Sequence, residues 1–124
     1  MELNFEVELY ETKEGRCPAE EFLDSLETKM WAKTTGLIKI LQEKGIELRE
    51  PYTKYLEDGI FELRVKQGSN ISRLHFFFCE NGTIVITNGY IKKDNKPPRY
   101  EVELSKQYRE DYINRHRRST PNEI

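Results

Sequence analysis

Apolar and polar positions alternate over residues 3–10, where Leu3, Phe5, Val7 and Leu9 interleave with Asn4, Glu6 and Glu8. A period of two predicts a strand with one buried face. A turn around Gly15 follows, and then Pro18-Ala19-Glu20-Glu21 reads as a helix start. Proline suits the first helical position, and the two glutamates face the positive end of the helix dipole. Phe22, Leu23 and Leu26 form the apolar stripe of this short helix. A second helix carries Met30, Trp31, Leu37, Ile38 and Leu41, with Thr28 placed to cap it and Gly45 placed to stop it. The pair predicts a helical hairpin packed on a sheet.

From Phe61 onward the period returns to two. Phe61, Leu63 and Val65 alternate with Glu62, Arg64 and Lys66, and a polar turn Gln67–Asn70 leads into Ile71–Glu80. Asn81-Gly82 is a two-residue hairpin signal, because both residues tolerate positive φ. Thr83–Ile91 is the return strand. A basic, proline-bearing stretch, Lys92–Arg99, precedes a final helix over 101–117 with one weak apolar face, Leu104, Tyr108 and Tyr112. The predicted order is β-α-α-β-β-β-α, an α+β fold with a mostly antiparallel sheet. With 124 residues and no repeat or linker, the chain reads as a single domain over 1–124.

Charge sharpens this picture. The formal net charge of −2 hides a split: residues 1–60 hold 14 acidic and 8 basic side chains, and residues 61–124 hold 8 acidic and 12 basic. A chain with that asymmetry can offer a basic face to a polyanion despite its acidic total. The near balance excludes a disordered polyelectrolyte. No apolar run approaches the roughly 20 residues of a membrane span, and the polar, acidic start is unlike a signal peptide, so a cytoplasmic location without membrane association is expected. Cys17 and Cys79 have no zinc-ligand spacing, and no cluster of Asp, Glu and His suggests a metal, so no cofactor is expected.

The basic residues fall where a meander gathers them. Arg64 and Lys66 share one face of their strand, Arg73 opens the next strand, and Lys92 and Lys93 end the last, with Lys96 and Arg99 just beyond. Like charges this close repel one another unless an anion sits among them. The plainer alternative is an edge guarded by lysines against aggregation. His75 lies on Arg73's face but beside Phe76–Phe78, which favours a structural histidine. Tyr52, Tyr55, Tyr90 and Tyr100 are the aromatics available to stack on bases or to fill the core.

Gly59-Ile-Phe-Glu-Leu-Arg64, Ser72-Arg73 with Phe76–Phe78, and Asn88-Gly-Tyr-Ile-Lys-Lys93 together resemble the RelE/HigB toxin superfamily. The closest likeness is to its phage-derived HigB-like branch, with an "ELR", an arginine-led aromatic strand and a "G-[FY]-x-K-K" strand end. The resemblance spans nearly the whole chain and agrees with the element order. It implies a RelE-like fold and the toxin component of a type II toxin–antitoxin system. The implied activity is a metal-independent, ribosome-dependent mRNA endoribonuclease that inhibits translation. The 2′-OH would attack the adjacent phosphate, which requires a base, an acid at the leaving 5′ oxygen and cations around the transition state. The implied catalytic residues are Arg64, Lys66, Arg73, Lys92 and Lys93, with Lys96, Arg99 and Tyr100 contacting RNA. Arg73 is expected to be an exposed phosphate clamp. The implied partners are mRNA on the ribosome and a helix-turn-helix antitoxin encoded by an adjacent gene. That antitoxin would dock either on the basic patch or on the acidic first helix, Glu20, Glu21, Asp24 and Glu27. Two other classes stay open: a ParE-like gyrase-binding inhibitor and a non-catalytic phage or plasmid interaction module.

Overall fold

The computed structural model describes residues 5–92 and 98–118. In chain order it has β1 (Glu6–Leu9), α1 (Pro18–Asp24), α2 (Thr28–Lys44), a single 3-10 turn (Gly45–Glu47), β2 (Thr53–Glu57), β3 (Ile60–Gln67), β4 (Asn70–Phe78), β5 (Thr83–Lys92) and α3 (Arg99–Arg118). The strands form one sheet in the order β1-β5-β4-β3-β2, with β1 parallel to β5 and every other pair antiparallel. This is an α+β architecture.

Alternation divides the sheet's side chains between two cores. On one face Leu63, Val65, Leu74, Phe76, Ile84 and Ile86 pack against Ala19 and Leu23 of α1 and Met30, Leu37 and Leu41 of α2. On the other face Ile60, Phe77 and Val85 pack with Tyr10, and with Tyr108 and Tyr112 of α3. The central strand β4 is therefore covered on both sides, and everything from Ser72 to Phe77 is buried.

Four expectations are corrected. The order contains an additional strand, β2, absent from the sequence reading. It is an edge strand with one partner and a register shift between Tyr55 and Glu57, and Lys54 and Tyr55 are exposed, so it never displays a clean apolar period. Thr28 is the first residue of α2 rather than its cap, and Glu27 in the cap position makes no side-chain capping bond. Among the described residues, the first strand is limited to Glu6–Leu9. The Asn81-Gly82 hairpin is not a two-residue turn with two positive φ angles. Only Gly82 is positive, at φ 88°, and Gly82 N–H donates to Cys79 O at 3.1 Å. That bond closes a type I turn with glycine in the left-handed position that follows it.

Gly45 ends α2 as its position suggests, for two physical reasons. Its φ is 57° with ψ −130°, a region that side chains strain to occupy, and a Cβ there would lie 2.1 Å from Cε1 of Phe5. The helix end and the start of the sheet are thus fitted to each other. Gly45→Ala should lower stability by about 1–3 kcal/mol, from backbone strain plus displacement of the Phe5 ring. Urea denaturation checks this; a loss below 0.5 kcal/mol (about the noise of surface substitutions) would mean Phe5 moves freely.

Candidate functional site

The antiparallel register decides which cations meet. Arg64 of β3, Arg73 of β4 and Tyr90 of β5 are directly opposite one another, and in the next row Lys66, Ile71 and Lys92 are opposite one another. A bulge at Thr87 lets Asn88 pair with His75, which puts Asn88, Tyr90 and Lys92 on the same face as His75 and Arg73. Arg64, Lys66, Arg73 and Lys92 thus converge on the α3 face, at the end of the sheet beyond the N-terminus of α3. Lys93 and Lys96 lie outside the described residues.

The anion that makes this cluster tolerable is internal, and the sequence reading missed it. Glu62 is fully buried between the two guanidiniums. Arg73 Nη1 donates to Glu62 Oε2 at 3.2 Å, and Arg64 Nε lies 2.9 Å from Glu62 Oε1 as an ion pair. The signal for Glu62 was available: it alternates with Leu63 onto the same face as Arg64, two residues away.

Arg73 is corrected from exposed clamp to interior residue. Its side chain is 0% exposed, because it lies on the central strand β4 against the buried carboxylate of Glu62. Arg64 remains 21% exposed along its side chain, Lys66 is exposed, and Lys92 is half-buried. Solvent-borne ligands can reach these three. Arg99 is exposed but engaged, pairing with Glu57 and with Glu103 at 2.5 Å each, while Lys106 joins the same Glu57 carboxylate at 2.5 Å. Paired cations on both sides hold Glu57 well below the usual carboxylate range, at about 2. Tyr100 is 70% exposed next to Arg99, with its ring open to solvent.

Behind the cations runs a buried chain of polar groups. Tyr90 OH lies 3.4 Å from Glu62 Oε2 and 3.0 Å from His75 Nε2, and His75 Nδ1 lies 2.5 Å from Ser105 Oγ of α3. Ser105 Oγ approaches Asn88 Oδ1 at 3.0 Å, and Asn88 Nδ2 donates to Glu101 Oε1 at 2.9 Å. The chain joins the first turns of α3 to the guanidinium pair. Burial, and after it the positive charge of Arg73, hold His75 down to about 4, with the Glu101 backbone opposing them. His75 is therefore a neutral structural link at ordinary pH. Burial and the nearby Glu62 charge push the Tyr90 phenol up from its ordinary value, so Tyr90 remains a neutral hydroxyl. Among the described residues, no group of three His, Cys, Asp or Glu side chains is placed to hold a metal ion, and no helix is long and apolar enough to cross a membrane.

The ELR segment, the buried arginine and the Gly-Tyr-Ile-Lys strand end are thus neighbours in space as well as in pattern. A model of the family described as "Phage derived protein Gp49-like (DUF891)" matches residues 21–110, from α1 into α3. The chain belongs to this family. The Gp49-like family contains RelE-like toxins, so the phage-derived character suggested by the sequence holds at that level. Among curated proteins, none matches the sequence.

Two outcomes follow for the Gp49-like protein. Arg73→Ala should cost about 3–5 kcal/mol, because it leaves Glu62 buried with its charge only partly compensated. Thermal melting checks this, and an unchanged melting temperature would show that the interior pair is dispensable. The second outcome concerns acid. Below pH 6.5 the unfolded chain protonates a histidine that the folded chain keeps neutral down to about 4. Stability should therefore fall by about 3 kcal/mol as pH drops from about 6.5 to about 4. Denaturant titrations at pH 7 and pH 4.5 measure the slope, which His75→Gln should flatten.

Proposed function

We propose that this Gp49-like protein is the toxin of a type II toxin–antitoxin pair, with a RelE-like fold in which α1 and α2 form the N-terminal helical hairpin. Its activity is ribosome-dependent cleavage of mRNA in the cytoplasm. The observation that carries this reading is the convergence of Arg64, Lys66 and Lys92 on one open end of a sheet face, set on a rigid strand by buried Arg73. Rows of cations at strand spacing suit a phosphodiester and the extra negative charge that its transition state develops. The 2′-OH loses its proton to a base and forms a bond to phosphorus, while the 5′ oxygen leaves with a proton from an acid. Arg64 and Lys66 are assigned to the phosphoryl oxygens, and Lys92 to the leaving-group side. Arg73 acts from beneath as support for Arg64. Arg99 and Tyr100 extend the surface on which flanking nucleotides rest, the exposed Tyr100 ring offering a stacking platform.

An acidic chain with a neutralised interior binds free RNA weakly, so positioning is assigned to the ribosome, where orientation contributes up to about 7–11 kcal/mol in well-aligned systems. Silencing is assigned to a helix-turn-helix antitoxin docked on α1 and the turn after it, where Glu20 and Asp24 of α1 and Glu27 at the α2 cap are exposed. Neutralisation of Arg64 and Arg73 by Glu62 also favours a second reading, an interaction module that blocks a partner by binding and cuts nothing. The ParE-like form of that reading would act on gyrase.

Induced expression in bacteria followed by mapping of mRNA 5′ ends separates these. New codon-phased ends should accumulate with the wild-type chain and fall about 10²–10³-fold with Arg64→Ala, the effect of removing one transition-state donor. Purified protein should leave ribosome-free transcripts intact. Toxicity without new mRNA ends would favour the binding module, with inhibition of DNA supercoiling pointing to its gyrase-directed form.

A further inference from the structure

The proposed active face contains an element that no cation-based mechanism requires: a fully buried carboxylate at its centre. Glu62 is 0% exposed, yet it contacts both the interior guanidinium and the accessible one. A buried charge of this kind is costly unless it is well paired, and an apolar residue of similar size would fit a sheet–helix interface. Its partners are arranged asymmetrically. Arg73 and Tyr90 hold one carboxylate oxygen from the interior, at 3.2 Å and 3.4 Å. The other oxygen lies 2.9 Å from Nε of Arg64, whose side chain reaches solvent. That contact is an ion pair rather than an aligned hydrogen bond, so a phosphate arriving from solvent meets an Arg64 that is already partly neutralised and drawn toward the carboxylate by charge.

We propose that Glu62 is a positioning residue that acts as an internal stand-in for the RNA phosphate, fixing Arg64 and limiting the affinity of the cation cluster for RNA. The proposal rests on the RNA-directed reading above and deepens it. The carboxylate lowers the positive potential that free RNA experiences, and it directs Arg64 toward one approach. Weak free binding then makes productive contact depend on a carrier that presents the strand, and a well-oriented guanidinium serves the transition state once the strand arrives. Lys66 and Lys92 flank the same opening and share the lowered potential. The charges around Glu62 are accounted for from each packed element: Arg64 on β3, Arg73 and neutral His75 on β4, Tyr90 and Lys92 on β5, and Glu101 at the start of α3.

The test is the affinity of the full chain for a 2′-O-methyl oligoribonucleotide, which cannot be cleaved, by fluorescence anisotropy over a range of salt. Glu62→Gln keeps the shape and removes the charge. It should bind about 3- to 10-fold more tightly than wild type, as expected for one added positive charge a few ångströms from the phosphate. The plot of log affinity against log salt should steepen by up to about 0.7. Cleavage of mRNA on programmed ribosomes should fall in the same variant, because Arg64 is no longer held. A residue needed only for folding could lower turnover but would not tighten binding. To exclude trouble from an uncompensated Arg73, the same substitution is made in an Arg73→Gln background, where no buried guanidinium loses its counter-charge; the gain in affinity relative to Arg73→Gln alone should be the same. Equal or weaker binding in both backgrounds, or no binding by the wild-type chain, overturns the proposal. Wild-type cleavage with unchanged Glu62→Gln affinity sinks this inference and leaves the nuclease reading standing. Tighter Glu62→Gln binding with no wild-type cleavage does the reverse.

Discussion

One carboxylate shared by two guanidiniums organises the α3 side of this protein. Arg64 and Arg73 are directly opposite on neighbouring strands, the arrangement that like charges make unfavourable in a sheet. Glu62, two residues from Arg64 on the same face, converts that repulsion into an ion triad that can be buried. Once it is buried, its remaining hydrogen-bonding capacity must be met, because unsatisfied polar groups in an interior are expensive. Tyr90, His75, Ser105 and Asn88 form a sequence of contacts that meets this on the Glu62 Oε2 side and reaches the first turns of α3, whereas Glu62 Oε1 and Arg64 Nε face each other as an ion pair without an aligned hydrogen bond.

That dependence explains why a helix as polar as α3 can serve as one layer of the molecule. Few of its described side chains are buried: Val102, Ser105 and Tyr112. It is held instead by partners at both ends. Near its start, Arg99 and Lys106 converge on Glu57, and Arg109 joins Asp58 in the turn between β2 and β3. Toward its end, Tyr112 OH donates to Glu8 Oε1 at 2.8 Å and Tyr10 OH donates to Asp111 Oδ2 at 2.5 Å. Exposed ion pairs are individually weak, so the helix is retained by their number and by the buried chain beneath it.

Much of this was legible in the sequence, and the unread part has a common cause. Strands with one apolar face, such as Phe61–Val65, declare themselves by period, as does the helix stripe of Met30, Leu37 and Leu41. The gathering of Arg64, Lys66, Arg73 and Lys92 followed from hairpin topology alone. What period cannot convey is a face that is polar and buried at once. Arg73 and His75 alternate with Leu74 and Phe76 as surface residues would, but His75 is buried against Ser105 of a helix thirty residues later and Arg73 against Glu62. Glu62 was passed over for the same reason: a carboxylate amid cations acquires meaning only when water is excluded from all three. β2 escaped because an edge strand with a register shift needs little apolar character.

The pairing of β1 with β5 has a bearing on how the chain reaches this state. Among the described residues these strands are the sheet's only parallel pair, and Glu6 is matched to Thr83 and Leu9 to Ile86 across most of the sequence. Closing so large a loop gives up chain entropy before the contacts compensate, so local hairpins such as β3–β4–β5 form readily while β1 must wait. Tyr10, just past β1, stacks on Tyr108 of α3 at 4.6 Å, so the first strand and the last helix also meet through a contact of long sequence separation. Sequence separation thus favours the β3–β4–β5 hairpins over the β1–β5 pairing. During synthesis β3, β4 and β5 leave the ribosome before α3, so the His75 side of the sheet that α3 finally covers is accessible in the newborn chain.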